Sequence, residues 1–255
     1  MELNLVNLIS PALMIGLRVS GLVLFAPLFG SAAIPMRIKA VLVIVVTTVL
    51  YPVLSTRVQR AVVTQWPLVV LHELAIGIVL GLAASLLFEA AQMAGQVMSI
   101  QMGYSLVNIL DPQTQVESTV VALFHQTVAM LIFLTMNVHH ALLRVVTSSF
   151  DYLPVSAAQI NSPFTVATLK IGGLIFTLGM RIAAPVVAAT LVADVAIGLM
   201  GKASPQMPLI LLGPAVKSML GMAVLVTVLR FWPDLLERWF SNSLAYAERL
   251  LDVAR

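Results

Sequence analysis

The long apolar stretches of this 255-residue sequence contain ionisable side chains at Arg18, Glu73, Glu89, Arg181, Asp194 and Lys217. A charged side chain in the middle of a membrane helix costs about 2.5–3.5 kcal/mol on insertion scales, so each one requires a partner or water. We expect Arg18, Glu73, Arg181, Asp194 and Lys217 to pair between helices or between subunits. A proton or ion pathway through such groups is the alternative. The sequence alone does not determine which of them pair.

Patterns that would support catalysis or metal binding are incomplete. His72 and Glu73 begin the spacing of a zinc-protease motif, but Ile76 stands where the second histidine is required. The adjacent His139 and His140 would point about 100° apart on a helix, a poor arrangement for chelation. The sequence contains no cysteine, and it has neither a nucleophile elbow nor a phosphate-binding glycine motif. We therefore predict no catalytic residue, no metal and no cofactor.

A polar stripe follows one face of a long apolar segment. Its members recur at intervals of three and four residues, which places them on one side of a helix. They are Glu89, Gln92, Gln96 and Ser99. Because lipid would leave these groups unsatisfied, we predict that the stripe faces a channel or a subunit seam. Earlier in the same segment, Gly77-x-x-x-Gly81 is typical of close helix packing.

The stretch from Met102 to Ser118 mixes apolar residues with residues that interrupt helices and contains no lysine or arginine. A connection this apolar is expected to be buried, and irregular backbone at membrane depth is tolerated only inside protein or beside an aqueous cavity. A re-entrant structural loop and a pore plug both satisfy these conditions. The residues that define the candidate plug are Met102, Gly103, Tyr104, Leu106, Val107, Ile109, Asp111 and Pro112.

Composition decides the environment of these groups. Hydrophobic residues make up 60% of the chain and charged residues only 10%, against roughly 45–50% and about 25% in soluble domains. Without alternating polarity, the apolar runs are predicted to be membrane helices. We predict an all-α integral membrane protein with about six hydrophobic helical segments: Leu5–Phe29, Ala40–Leu54, Trp66–Gly103, Thr119–Val138, Ile171–Met200 and Met207–Trp232.

These segments differ from a simple bundle of standard rods. At ~1.5 Å per residue the second is roughly 22 Å long and the third about 57 Å, against a hydrocarbon core of ~30 Å. Prolines, including Pro35 and Pro185, predict breaks or kinks. We interpret His139–Lys170 as a loop and 233–255 as an amphipathic C-terminal tail. The scattered cations give no support for binding nucleic acid.

Short motifs follow one another in a definite order from about Leu5 to Trp232. The first part of the chain contains Arg18, Ala26-Pro27-Leu28-Phe29-Gly30, Ile34-Pro35-Met36-Arg37-Ile38-Lys39, Met102-Gly103, Asp111-Pro112, Leu131-Ile132-Phe133-Leu134-Thr135-Met136-Asn137 and His139. The later part contains Pro185, Asp194, Gly198, Ser204-Pro205-Gln206-Met207, Gly213, Lys217 and Gly221. In their order and spacing these motifs resemble the FliR family of flagellar-type export-gate subunits.

This resemblance implies a structural, non-enzymatic subunit of a type III protein-export channel in the bacterial inner membrane, within the flagellar basal body. FliP and FliQ homologues are the implied partners, with FlhB and FlhA homologues nearby and unfolded proteins as substrates. Residues 1–170 would be FliP-like and residues 171–232 a FliQ-like hairpin, with Pro205, Gln206 and Met207 at its tip. In the family, the loop that corresponds to Met102–Ser118 helps to plug the channel.

Two other functions are compatible with the residues. The virulence-type secretion counterpart shares the same motifs. A proton-coupled secondary transporter would use Glu73, Glu89 and Asp194 as proton or cation sites at broken helices.

Overall fold

A computed structural model describes residues 5–27, 29–31, 33–58, 66–104, 119–155, 162–204, 206 and 209–253. Within these ranges all regular secondary structure is helical, in agreement with the predicted fold class. The helices are α1 (Leu5–Phe25), α2 (Met36–Val58), α3 (Trp66–Gln101), α4 (Val120–Thr135), α5 (Val138–Tyr152), α6 (Ser162–Ala203), α7 (Leu209–Leu229) and α8 (Trp232–Val253).

The prediction of membrane helices is confirmed, but in the described ranges fewer helices than the six predicted segments are long and apolar enough to cross a membrane. Among the described residues, four helices have this length and composition, and the number rises to five if the bent pair of α4 and α5 forms one broken span. The 36 residues of α3 extend about 54 Å and the 42 residues of α6 about 63 Å. Both helices are therefore longer than a ~30 Å hydrocarbon core.

The second helix is longer than the predicted Ala40–Leu54. It begins at Met36, directly after Pro35, and continues to Val58. The Lys39 side chain reaches back to the preceding turn, where its Nζ donates a hydrogen bond to the Gly30 carbonyl at 3.0 Å. This hydrogen bond stabilises the Lys39 cation in the first turn of α2. The predicted segment excluded Lys39 because its charge interrupts the apolar sequence.

The interpretation of His139–Lys170 as a loop is wrong. It contains most of α5 and the first turns of α6. Helix α5 is amphipathic, with one buried face formed by Val138, Leu142, Val145, Val146, Ser149 and Phe150. Asn137 lies between α4 and α5 with a left-handed φ of 54°, and the two helices meet at an angle of 69°.

The predicted break at Pro185 does not end α6, because the helix continues through Pro185 to Ala203.

The chain forms two compact units. The first comprises the described residues of Met1–Leu86, Phe133–Gly173 and Trp239–Arg255, and the second those of Leu87–Ile132 and Leu174–Arg238. In the first unit α2 packs against α1 and α5. At its C-terminal end α8 also packs there, since the Tyr246 hydroxyl donates a hydrogen bond to the Ala167 carbonyl at 2.9 Å. Burial raises the pKa of Tyr246 above its ordinary value.

Glycines allow α1 and α3 to cross closely in the first unit. A Cβ atom added to Gly21 would lie 2.6 Å from the Leu74 carbonyl oxygen, and one added to Gly77 would overlap the Arg18 carbonyl oxygen. A Cβ on Gly81 would lie 2.8 Å from the Phe25 Cβ. The Gly77-x-x-x-Gly81 pattern therefore marks a crossing at which the two backbones are in direct contact.

Gly77→Ala tests this crossing. The new methyl group meets backbone atoms that have no room to move, so we expect a loss of stability of about 1–3 kcal/mol. The matched control is Gly172→Ala, because a Cβ there has no atom within 4 Å and alanine favours a helix interior by about 1 kcal/mol. Thermal unfolding of the purified chain in detergent gives the comparison. Equal melting temperatures for the two variants would contradict the close crossing.

Candidate functional site

The most extensive polar arrangement in the first unit is centred on Arg18 in α1. Both Arg18 and Glu73 of α3 have side chains with 0% exposure, and Arg18 Nε donates a hydrogen bond to Glu73 Oε2 at 2.7 Å. The other guanidinium nitrogens donate to α5 and its C-terminal residue: Nη1 to Ser149 Oγ at 2.9 Å and Nη2 to the Leu153 carbonyl at 3.1 Å. The Phe150 ring lies under the guanidinium, with 3.9 Å from Cζ to the ring centroid.

This Arg18 cluster joins three helices through one side chain. Each of its three nitrogen positions has an acceptor, which compensates the guanidinium for the water it has lost. Ser149 also donates a hydrogen bond to the Val146 carbonyl at 2.6 Å, so its oxygen lone pairs point toward Arg18. The other carboxylate oxygen, Glu73 Oε1, has no hydrogen-bond donor among the described residues. The arrangement is suited to fixing helix positions.

Sequence reasoning identified Arg18 and Glu73 but missed the contributions of Ser149, Phe150 and Leu153. The signal that would have found them is the 3.6-residue periodicity of α5, which places Ser149 and Phe150 on its buried face.

A second ion pair lies in the second unit, between α6 and α7. Lys217 Nζ lies 2.9 Å from Asp194 Oδ1 and 3.0 Å from Oδ2. The side chains are 16% and 43% exposed, respectively, so this pair is less desolvated than the first. Arg181 and Glu89, by contrast, are exposed and form no ion pair with any residue that the structure describes.

The polar stripe on α3 is graded in burial. Glu89 is exposed, Gln92 and Gln96 are half-buried, and Ser99 is fully buried. The Ser99 hydroxyl has no hydrogen-bond partner within the described part of the chain. At Glu89 the stripe is accessible to solvent or to another molecule, whereas at Ser99 it is buried within the second unit.

The start of the candidate plug is held firmly in the second unit. Met102 is 0% exposed, and a Cβ added to Gly221 of α7 would lie 2.7 Å from Met102 Cγ. Gly103 has a φ of +89°, which favours glycine, and lies beside Pro214 of α7. Tyr104 follows and is 38% exposed. The remaining plug residues, Leu106, Val107, Ile109, Asp111 and Pro112, lie outside the described residues.

Of the predicted hairpin tip, only Gln206 is described, and Pro205 and Met207 lie outside the described residues. His139 and His140 lie with ring centroids 4.3 Å apart. In the parts of the chain that the structure describes, no group of three or more histidine, aspartate or glutamate residues is arranged to hold a metal ion.

These features define an integral membrane protein built entirely from helices in its described parts, with charged side chains that tie helices together. Residues 9–243 match the sequence model of the family described as "Bacterial export proteins, family 1". The chain belongs to this family of bacterial export proteins, of which FliR is a member.

Relatives extend the match over most of the chain. A protein from Pectobacterium carotovorum named "Flagellar biosynthetic protein FliR" is 31% identical, with 94% of this chain and 92% of the relative covered. Proteins of the same name from Escherichia coli and Bacillus subtilis are 29% and 27% identical. In these two cases the alignment covers 89% and 88% of this chain, and 87% of each relative.

Removing the Glu73 carboxylate tests how much the Arg18 cluster contributes to the stability of the chain. Glu73→Leu leaves a buried guanidinium without its counter-charge, so we expect a loss of about 3–5 kcal/mol in the free energy of unfolding. Asp194→Leu, which disrupts the half-exposed pair, serves as the matched control and should cost less. Combining Glu73→Leu with Arg18→Met removes the stranded charge and should recover most of the loss. Thermal unfolding in detergent compares the three variants with the wild-type chain. A double variant no more stable than Glu73→Leu would contradict the predicted cost of an unpaired Arg18 guanidinium.

Proposed function

We propose that this chain is a structural subunit of the flagellar type III export gate and helps to form the channel for unfolded flagellar proteins. The observation that carries the proposal is the match to flagellar FliR proteins over nearly the whole chain, 94% of it in one case. The gate lies in the bacterial inner membrane, within the flagellar basal body. The subunit contributes structure and carries out no chemical step.

The proposed partners are FliP and FliQ homologues, with FlhB and FlhA homologues beside the assembled gate. The charge distribution supports a role in an assembly, because Glu89 and Arg181 have no partner in the described chain although they lie on helices apolar enough for a membrane. The transporter alternative has less support. Its candidate sites Glu73 and Asp194 are each engaged by a basic side chain, which leaves less of each carboxylate available to coordinate a transported cation.

Restoration of export is the experiment that tests the proposed function. A flagellated bacterium lacking its own FliR gene is supplied with this chain together with the FliP and FliQ homologues of the same genome. We expect flagellar substrates to return to the medium and a tagged chain to co-purify with both partners. The vector without this gene is the control. Full assembly of partners and export without this chain would reject the proposal.

We further propose that the polar stripe of α3 borders the channel or a subunit seam. The sequence contains no cysteine, so single cysteines at Gln92 and Gln96 report unambiguously. In the assembled gate they should react with a membrane-impermeant thiol reagent or cross-link to a partner, whereas a cysteine at the fully buried Ala90 should do neither. Protection of positions 92 and 96 from both reactions, equal to that of position 90, would place the stripe against lipid or within this chain.

The plug proposal concerns the segment that begins at Met102. Its support is the anchor of Met102 and Gly103 on α7 and the apolar sequence that follows, without lysine or arginine. An apolar constriction stops ions by dewetting and still yields to a passing chain, whereas a cationic one stays hydrated. The segment would close the resting channel and move aside for substrate.

Shortening residues 105–112 tests the plug. When the whole gate is overproduced, we expect the shortened variant to raise leakage of small ions and slow growth, while part of the export activity survives. Replacing Leu106, Val107 and Ile109 with serine should act in the same direction. The matched control replaces three exposed apolar residues of α2: Val41, Val45 and Val49. A gate that assembles normally and leaks no more than wild type would favour the structural-loop interpretation.

A further inference from the structure

One face of α6 in the second unit is exposed along its length and carries a single charge. We define the outer face of α6 as Arg181, Ala184, Ala188, Val192, Val195 and Leu199, which recur every three or four residues and are all exposed. Val192 is 70% exposed, and Val195 and Leu199 are each 65% exposed. Arg181 is therefore the one charged member of a face whose other residues are apolar and are left uncovered by the described chain.

Helix geometry places Arg181 away from the rest of its own unit. A Cβ added to Gly179 would lie 3.1 Å from the Ala90 carbonyl oxygen of α3, so Gly179 marks the inward face of α6. Two residues further along, at about 100° per residue, Arg181 points to the opposite side. The nearest acidic residue in sequence on this helix, Asp194, is engaged by Lys217. No acid among the described residues neutralises Arg181.

Lipid is a poor occupant for this position. A cation on a lipid-facing helix stands near the end of the apolar stretch, where its head reaches the interface. Apolar side chains are exposed on both sides of Arg181, since Phe176 and Met180, which precede it, are 60% and 36% exposed. Arg181 lies 19 residues after the start and 22 residues before the end of α6, at about 28 Å and 33 Å from the two ends. Arg181 is therefore near the middle of α6 and not at either end.

Two features near Arg181 favour a protein helix. Ala184 and Ala188 follow it on the same face, and small side chains allow the backbone of a second helix to come close. A guanidinium binds a carboxylate with two parallel hydrogen bonds, an arrangement that is especially favourable where water is excluded. The complementary surface is therefore an apolar helix that presents an aspartate or a glutamate level with Arg181.

We propose that the outer face of α6 binds an apolar helix of a different gate subunit, and that a carboxylate of that helix pairs with Arg181. This inference rests on the proposed function, because it requires a multi-subunit gate. The pair neutralises a charge that no described residue neutralises, and it fixes the axial register of the two helices.

Cross-linking in the assembled gate tests the proposal. A photo-reactive amino acid replaces Ala188 in a tagged chain that is produced with the other gate genes. Irradiation should give an adduct with another gate subunit, and mass spectrometry identifies the partner peptide. Adducts only with lipid, or only with a second copy of this chain, would overturn the proposal.

Charge reversal supplies the second readout. Arg181→Glu places two carboxylates together, so we expect the adduct and the co-purified partner to fall by about tenfold or more. Arg181→Lys should retain most of both, and Lys202→Glu, an exposed charge reversal near the end of the same helix, should leave them unchanged. The isolated Arg181→Glu chain should melt at the wild-type temperature, because Arg181 has no ion-pair partner in the described chain. Wild-type partner recovery with Arg181→Glu would reject the inference.

The two proposals fail separately. If the adduct with another gate subunit forms but export is not restored, the proposed function fails and the docking face stands. If export is restored but position 188 gives no such adduct, the docking face alone is rejected.

Discussion

The buried guanidinium of Arg18 imposes the strictest geometric requirement in the first unit. A charge with no exposure to solvent must receive from protein what water would have supplied, and the hydrogen bonds to Glu73, Ser149 and Leu153 do so. These acceptors belong to different parts of the chain, so their helices have little freedom to shift independently. The ring of Phe150 closes one face of the guanidinium and limits the approach of water.

The same residue shows why the glycines of α3 matter. Gly77 lies one helical turn after Glu73, and the Arg18 carbonyl oxygen occupies the space that a Cβ on Gly77 would need. The backbone of α1 thus touches α3 at the level where the side chains form their ion pair. A larger residue at position 77 would separate the helices and lengthen the distance between the guanidinium and the carboxylate. Packing and electrostatics therefore depend on a single crossing.

Composition and local patterns predicted much of the fold. Membrane helices are recognisable in the sequence as long apolar runs, and close helix crossings as small residues at four-residue intervals. Helix α5 was missed for a physical reason. Its buried residues alternate with polar ones at helical spacing, so a search for continuous apolar sequence interprets it as a loop. The predicted start of α2, Ala40, lies four residues after the observed start at Met36. The charge of Lys39 ended the apolar run, but in the structure Lys39 donates a hydrogen bond to the Gly30 carbonyl. Hydrophobic composition alone does not reveal such a contact.

The candidate site, like the fold, was predictable from the sequence only in part. The need for partners followed from the cost of charge in an apolar segment. It singled out the four residues that form ion pairs, Arg18, Glu73, Asp194 and Lys217, and also Arg181 and Glu89, which form none with the described residues. The pairing itself did not follow, since Arg18 finds its acceptors 55, 131 and 135 residues away in the sequence. Distances of that kind are fixed only by the tertiary structure, which selects one arrangement among the several that the charges allow.

These separations in sequence also determine how long after Arg18 its hydrogen-bond acceptors are synthesised. At ~5–20 residues per second, Glu73 leaves the ribosome roughly 3–11 s after Arg18, and Ser149 follows Arg18 by roughly 7–26 s. During this interval the Arg18 guanidinium lacks its final acceptors, so water or other groups must solvate it until Glu73 and Ser149 have been made. The acceptors of Arg18 are therefore complete only after more than half of the chain has been made.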